Sequence, residues 1–162
     1  MEVDTDVKID GLEEFTNWVD SFCKSAGLTE PVYDDPMYAF ILDLNYESLV
    51  ALSAEECIAY AYILINYVSG IQKKLDKMIA QNNWCIEALN YLYSKHWDNY
   101  DKYLPSDLRR HSIIRENSYA QLVEKQRLRL KGGIQMLEES CKDIRRKVEL
   151  LQSLGKVRAY NK

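Results

Sequence analysis

Chain breakers are scarce in these 162 residues, with 6 Gly and 3 Pro. That scarcity argues against a strand-and-turn architecture and favours long helices. The four cysteines, Cys23, Cys57, Cys85 and Cys141, are far apart and form no C-x-x-C pair. Reduced thiols are therefore expected, with neither a disulfide framework nor a thiolate metal site. No run of about 18 apolar residues occurs, so no transmembrane helix and no membrane partner are expected. The opening Met1-Glu2-Val3-Asp4-Thr5-Asp6 lacks the basic-then-apolar order of a secretion signal. P-loop, G-x-G-x-x-G, H-E-x-x-H and G-x-S-x-G patterns are missing too. Together these absences point to a cytoplasmic protein that is not an enzyme and needs no metal or cofactor.

What the sequence does contain is helical periodicity from Ser53 to about Arg158. Ser53-Ala54-Glu55-Glu56 is a capping-box signature, and a seam follows at Cys57, Ala61, Leu64, Val68, Ile71, Leu75, Met78, Asn82, Cys85, Leu89, Leu92 and His96. Its alternating steps of four and three average the 3.5 residues of a coiled-coil seam. Tyr60, Ile63, Tyr67, Ile79 and Ile86 widen it, so this helix needs at least two packing neighbours. Asn82 in the seam is a candidate register or oligomer-state residue; the alternative is a point where the helices splay. Asp101-Lys102-Tyr103-Leu104-Pro105-Ser106 reads as the turn, with Ser106 and Asp107 opening a second long helix. That helix carries Leu130, Ile134, Leu137, Cys141, Ile144, Val148 and Leu151. Gly132-Gly133 predicts a bend, a local break or a close helix crossing, at a level near Lys73-Lys74 and Ser69-Gly70, and Gly155 predicts the helix end. The expected fold is all-α: a long antiparallel, coiled-coil-like hairpin with a small helical N-terminal region. A two-helix rod has too little private core, so a homo-oligomer, or cover by the N-terminal third, is expected.

The N-terminal third reads as a frayed acidic tail over 1–8 and an amphipathic helix from Ile9 to about Ala26, closed by Gly27. A loop with two prolines spans Thr29 to Pro36, and a short helix runs from Met37 to about Asn45. Tyr46 to Leu52 then leads into the cap. Charge divides along similar lines. Residues 1–56 hold 2 Lys against 14 Asp/Glu, a net of −12, and residues 57–162 hold 19 Lys/Arg against 11 Asp/Glu, a net of +8. The organisation is thus an acidic helical region over 1–52 and a basic hairpin over 53–162, with its turn near 101–106. An acidic head on a basic body suggests a polyanion partner for the body and a protein partner for the head. Mutual neutralisation of the two halves is the competing account.

Chemistry concentrates around the turn. Trp84, Tyr91, Tyr93, Trp97, Tyr100 and Tyr103 interleave with Lys95, Lys102, Arg109, Arg110 and Arg115, and Lys125, Arg127, Arg129 and Lys131 follow. Rings among cations can stack bases and neutralise phosphates, as single-strand binders do. Equally, rings at helical spacing are core and lysines on long helices solubilise. His96 and His111, with Asp98, Asp101 and Asp107, could converge on a metal or act as an acid–base pair; solvated turn residues are the preferred reading.

Arg110-x-x-Ile113-x-x-Glu116-Asn117-x-x-Ala120-x-Leu122, then Ile144-Arg145-x-Lys147 and a basic residue near the end at Arg158, resembles the layout of the phage recombination mediators, the UvsY-type proteins. The resemblance covers about residues 55–158 and has no counterpart for the acidic head. It implies a non-enzymatic single-stranded-DNA-binding protein of the host-cell cytoplasm, one that forms rings and assists recombinase loading. Charge and ring placement would then give phosphate contacts to Lys73, Lys74, Arg109, Arg110, Arg115, Lys125, Arg127 and Arg129, and base stacking to Tyr93, Trp97 and Tyr103. The alternatives are an elongated helical assembly or virion scaffold protein, and an inhibitor or adaptor that binds a host protein through its acidic N-terminal region.

Overall fold

The computed structural model describes residues 9–28 and 36–160. The acidic tail and the loop expected from Thr29 lie outside the described residues, apart from Pro36, which opens a helix. Every regular element described is helical: α1 (Asp10–Ser25), α2 (Pro36–Asp43), α3 (Tyr46–Ala51), α4 (Ala54–His96), a 3-10 turn at Trp97–Asn99, α5 (Ser106–Glu116) and α6 (Ser118–Tyr160). The two long helices, α4 and α6, pack as an antiparallel hairpin, with the short helices N-terminal to it. Packing divides the chain into two compact units, and the division crosses both long helices instead of falling at the charge boundary near residue 52. One unit joins α1 to residues 77–134; the other joins α2 and α3 to residues 54–76 and 135–160.

Local chemistry sets the helix boundaries. The capping box before α4 forms as its sequence dictates: Ser53 N–H donates to the Glu56 carboxylate at 2.7 Å, and Glu56 N–H donates to the Ser53 hydroxyl at 3.2 Å. Gly27 follows α1 with φ at +71°, the left-handed position that glycine occupies without strain. Three boundaries differ from expectation. Tyr46–Ala51 is a helix, not a lead-in, started by the Asn45 side chain, which accepts from Ser48 N–H at 2.9 Å. The second long helix is interrupted at Asn117, whose extended backbone closes α5 and whose side chain accepts from Ala120 N–H at 3.0 Å to start α6. Nor does Gly155 terminate anything: α6 runs on to Tyr160. Gly155 is buried, and a Cβ there would stand 3.3 Å from Cys57 Cβ and 3.5 Å from the Ala54 carbonyl. Its role is close helix approach.

In the unit containing α1, the seam residues Cys85, Leu89 and Leu92 meet Ala120, Val123 and Leu130 of α6, and Ile9 and Leu12 cover them. The α1 helix crosses α4 at Gly11, where a Cβ would fall 2.7 Å from the Trp84 ring. Trp84 is thus a packing residue. Gln81 donates to the Thr16 hydroxyl at 2.9 Å and Lys77 pairs with Asp20, fastening the same contact. The Gly132-Gly133 pair neither breaks nor ends α6. Gly133 leaves room for Met78, whose Cε would be 2.5 Å from an added Cβ, while a Cβ at Gly132 would meet nothing within 4 Å.

In the other unit, Cys57, Ala61, Leu64 and Val68 pack on Cys141, Ile144, Val148 and Leu151, with Ile41 and Leu49 closing the core. Tyr38 of α2 stacks on Tyr67 with ring centroids 4.1 Å apart, and Phe40 meets Tyr60 edge-on. The part of the widened flank formed by Tyr60, Ile63 and Tyr67 therefore packs in the core that α2 helps close. Two cations of α6 hold the ends of the short helices. Lys147 donates to the carbonyls of Leu42, in the last turn of α2, and Leu44, just past it, and the Arg158 guanidinium to those of Leu49, Val50 and Leu52 at the end of α3. Positive charge is favourable at both places, where unpaired carbonyls and the helix dipole are negative.

Candidate nucleic-acid interface

The end of α4, the 3-10 turn and α5 bring the rings and cations of the sequence together, but they do not treat them alike. Asp101 organises the turn: its side chain accepts from Tyr103 N–H at 2.9 Å and its carbonyl from Leu104 N–H at 3.0 Å. Arg109 is buried beneath this turn, 7% exposed, with its guanidinium 4.5 Å from the centre of the Trp97 ring and Nη2 donating to the Leu104 carbonyl at 3.2 Å. A guanidinium stacked on indole and tied to a carbonyl clamps the turn. Arg109 and Trp97 thus face each other.

Arg110, the next residue, is exposed and lies over Tyr93 at 5.7 Å. Both border a groove of about 420 Å³, with Ile86 and Ile114 among its apolar walls and Asn90, His111, Glu124 and Arg127 among its polar ones. Burial raises the Tyr93 hydroxyl above its usual range, and the Glu124 carboxylate adds to the effect. Arg127 holds Glu124 through two bonds, Nε at 2.6 Å and Nη2 at 2.7 Å, and this hydrogen-bonded partner raises the guanidinium further. Across the turn Tyr100 donates to Glu116 at 2.6 Å, which lowers the carboxylate and raises the phenol; Arg115 also lies 3.5 Å from Glu116 but remains largely exposed. Tyr103 is 82% exposed, with the Lys102 ammonium 5.2 Å from its ring centre. Lys125 and Arg129 are exposed on α6.

Of the residues singled out in the sequence, Tyr93, Arg110 and Arg127 share one groove, Arg109 and Trp97 share one clamp, and Arg115, Lys125, Arg129 and Tyr103 are outward-facing. Lys73 and Lys74 belong to the other unit, where Lys73 is half-buried and Lys74 borders a separate cavity lined by Tyr38 and Tyr67. Asn82 is half-buried, and its Oδ1 is buried without a hydrogen-bond partner. Glu116 and Glu124 are the site residues that sequence reading missed. Glu124 stands three residues before Arg127, a helical ion-pair spacing that flags the pair. Nothing local flags the Tyr100–Glu116 bond, which closes over sixteen residues.

Among the described residues no group of three or more His, Cys, Asp or Glu is placed to hold a metal ion, and no described helix is long and apolar enough to cross a membrane. Comparison with protein-family models, curated proteins and solved structures finds no match. What the chain displays is therefore a fold class, an all-helical hairpin with short N-terminal helices.

Proposed function

We propose that this is a non-enzymatic protein whose basic hairpin binds single-stranded DNA and assists the loading of a recombinase. The observation that carries the DNA-binding part is the outward-facing set Arg110, Arg115, Lys125 and Arg129, together with the exposed ring of Tyr103, in a segment (77–134) that holds 10 Lys/Arg against 6 Asp/Glu. Cations at this density, flanked by rings, suit a flexible strand whose phosphates are neutralised while its bases stack. Recombinase loading rests on the resemblance in layout to the phage mediators alone. The test is anisotropy of a labelled single-stranded oligonucleotide, with duplex as competitor. Salt-sensitive binding that duplex does not displace is expected, weakened by charge reversal at Arg110 and Arg129. Absence of binding at low salt overturns the reading.

A second reading, docking of a host protein on the acidic N-terminal region, is favoured by one feature. On α1 the rings of Phe15, Trp18 and Phe22 form a ladder, with centroids 6.1 and 5.8 Å apart, and Trp18 and Phe22 are more than half exposed. Asp10, Glu13 and Glu14 accompany it on the same helix. A basic partner retained by the full chain, and lost on Trp18→Ala with Phe22→Ala while oligonucleotide binding persists, marks this surface as separate from the first. Scaffolding by helical self-assembly, the remaining alternative, predicts no oligonucleotide binding.

A further inference from the structure

Outward-facing cations account for phosphates, but not for the groove that Tyr93 and Arg110 border. Helices α4, α5 and α6 form it within one unit, and Ile86, the buried Leu89 and Ile114 give it aliphatic walls. Its formal charges cancel, with Asp107 and Glu124 set against Arg110 and Arg127. A phosphate drawn inside would meet two carboxylates, and a cationic side chain would meet two guanidinium groups. Neither ion is favoured. What suits the groove is an uncharged ring, its flat faces against aliphatic walls and its polar edge against fixed donors and acceptors. At about 420 Å³ the groove falls within the range of small-ligand sites, roughly 300–1,000 Å³.

The two acids of the groove differ in what they have left to offer. Both Glu124 oxygens are engaged by Arg127, at 2.6 and 2.7 Å. Asp107, exposed in the first turn of α5, has a carboxylate that nothing bonds among the described residues. A free carboxylate presents two acceptors side by side and takes a pair of adjacent donors best. Among the DNA bases guanine has that pair, N1–H beside the N2 amino group. Adenine and cytosine set their amino group beside ring acceptors, and thymine has one N–H between two carbonyls. Arg110, one turn further along α5, is exposed and in no ion pair among the described residues, and Asn90 brings an exposed amide from α4. We infer that the groove holds a guanine of the bound strand, with N1–H and the N2 amino group donating to Asp107, O6 accepting from Asn90, and the phosphate of the same nucleotide on Arg110. This rests on the single-stranded DNA reading and adds a base preference to it.

The test is anisotropy with labelled oligo-dT strands of one length that differ only at a central position, occupied by dT, dG, dA or dC. The dG strand should bind about tenfold tighter than the other three, as a bidentate base contact does. Inosine in its place, which lacks the N2 amino group, should forfeit most of that gain. Asp107→Asn should bind the four strands alike, and so should Asn90→Trp, which fills the groove from an exposed position, with helix content retained by circular dichroism. As a readout that needs no strand, free dGMP should shift the NMR signals of the Asn90 amide at concentrations where dTMP does not. A dT strand that binds, with dG preferred in neither assay, overturns the inference and leaves the DNA reading standing. A dG advantage that survives Asp107→Asn overturns it as well. If no strand binds at low salt the DNA reading falls; selection of dGMP over dTMP would then uphold the groove as a guanine site, and its absence would overturn both.

Discussion

At the scale of single residues, burial decides which reactive groups stay silent. Cys57, Cys85 and Cys141 are all but inaccessible and Cys23 is half-buried. Cys85 lies in the core of the α1-containing unit, where burial pushes its thiol from 9.0 to about 11. A folded-state value raised above the unfolded one means that folding favours the neutral thiol. The stabilisation is then fully present below pH 9 and lost as pH climbs through 11. Tyr93, raised chiefly by burial, acts in the same direction. The expected outcome is a urea midpoint that declines between these pH values, and less steeply in Cys85→Ala, whose overall stability is also lower from the lost packing. A decline of equal steepness in that variant would remove Cys85 as a source. The adjacent arginines at 109 and 110 show the same principle in cations: one guanidinium is sealed under the turn by Trp97, the other faces outward over Tyr93.

At the scale of elements, position along α6 decides what a basic residue does. Arg158 reaches three carbonyls at the end of α3, with Nη2 2.6 Å from Val50 O and 3.3 Å from Leu49 O. Arg146 only pairs with Asp143, at 3.0 Å, where both side chains are over 70% exposed. Arg158→Met should therefore cost about 2–3 kcal/mol in denaturant unfolding, because hydrogen bonds from a charged donor are lost and carbonyls are left behind. Arg146→Met should cost less than about 1 kcal/mol, as surface ion pairs do. Equal effects would mean that the α3 end is not held this way. The contrast also explains what was legible. The α1 and α4 helices could be read because long periodic patterns and a capping box leave little choice, and the seam from Cys57 to Leu92 packs as written. The six-residue α3 is too short for periodicity to declare it. The break at Asn117 rests on one polar residue within a helical pattern. Gly155 was misread because a glycine that ends a helix and one that admits a neighbouring helix look identical until Cys57 is placed beside it. In the candidate site, the set of rings and cations was visible in the sequence. The division into clamped, paired and outward-facing members was legible only for Arg127, whose partner Glu124 stands three residues earlier; the rest depends on Trp97 and Glu116, which lie twelve and sixteen residues from the groups they meet.

At the scale of the whole molecule, the net charge of −4 opposes binding to a polyanion, and only local concentration of cations can overcome it. Counterion release makes that concentration countable. Each phosphate neutralised on a single strand contributes about −0.7 to the slope of log K against log salt. Arg109, buried in its clamp, should contribute nothing, and Arg127, held by Glu124, little. Lys73 and Lys74 belong to the other unit. Arg110, Arg115, Lys125 and Arg129 remain, which predicts a slope of about −3 for single-stranded DNA. Replacing any one of the four by Gln should flatten it by about 0.7, whereas Lys74→Gln should leave it unchanged. Arg109→Gln should lower thermal stability and leave the slope alone. A slope near zero would mean that binding, if present, runs through rings alone. A slope near −6 would require cations beyond these four to reach phosphate as well, and for two of them the packing around Arg109 and the pairing of Arg127 oppose it.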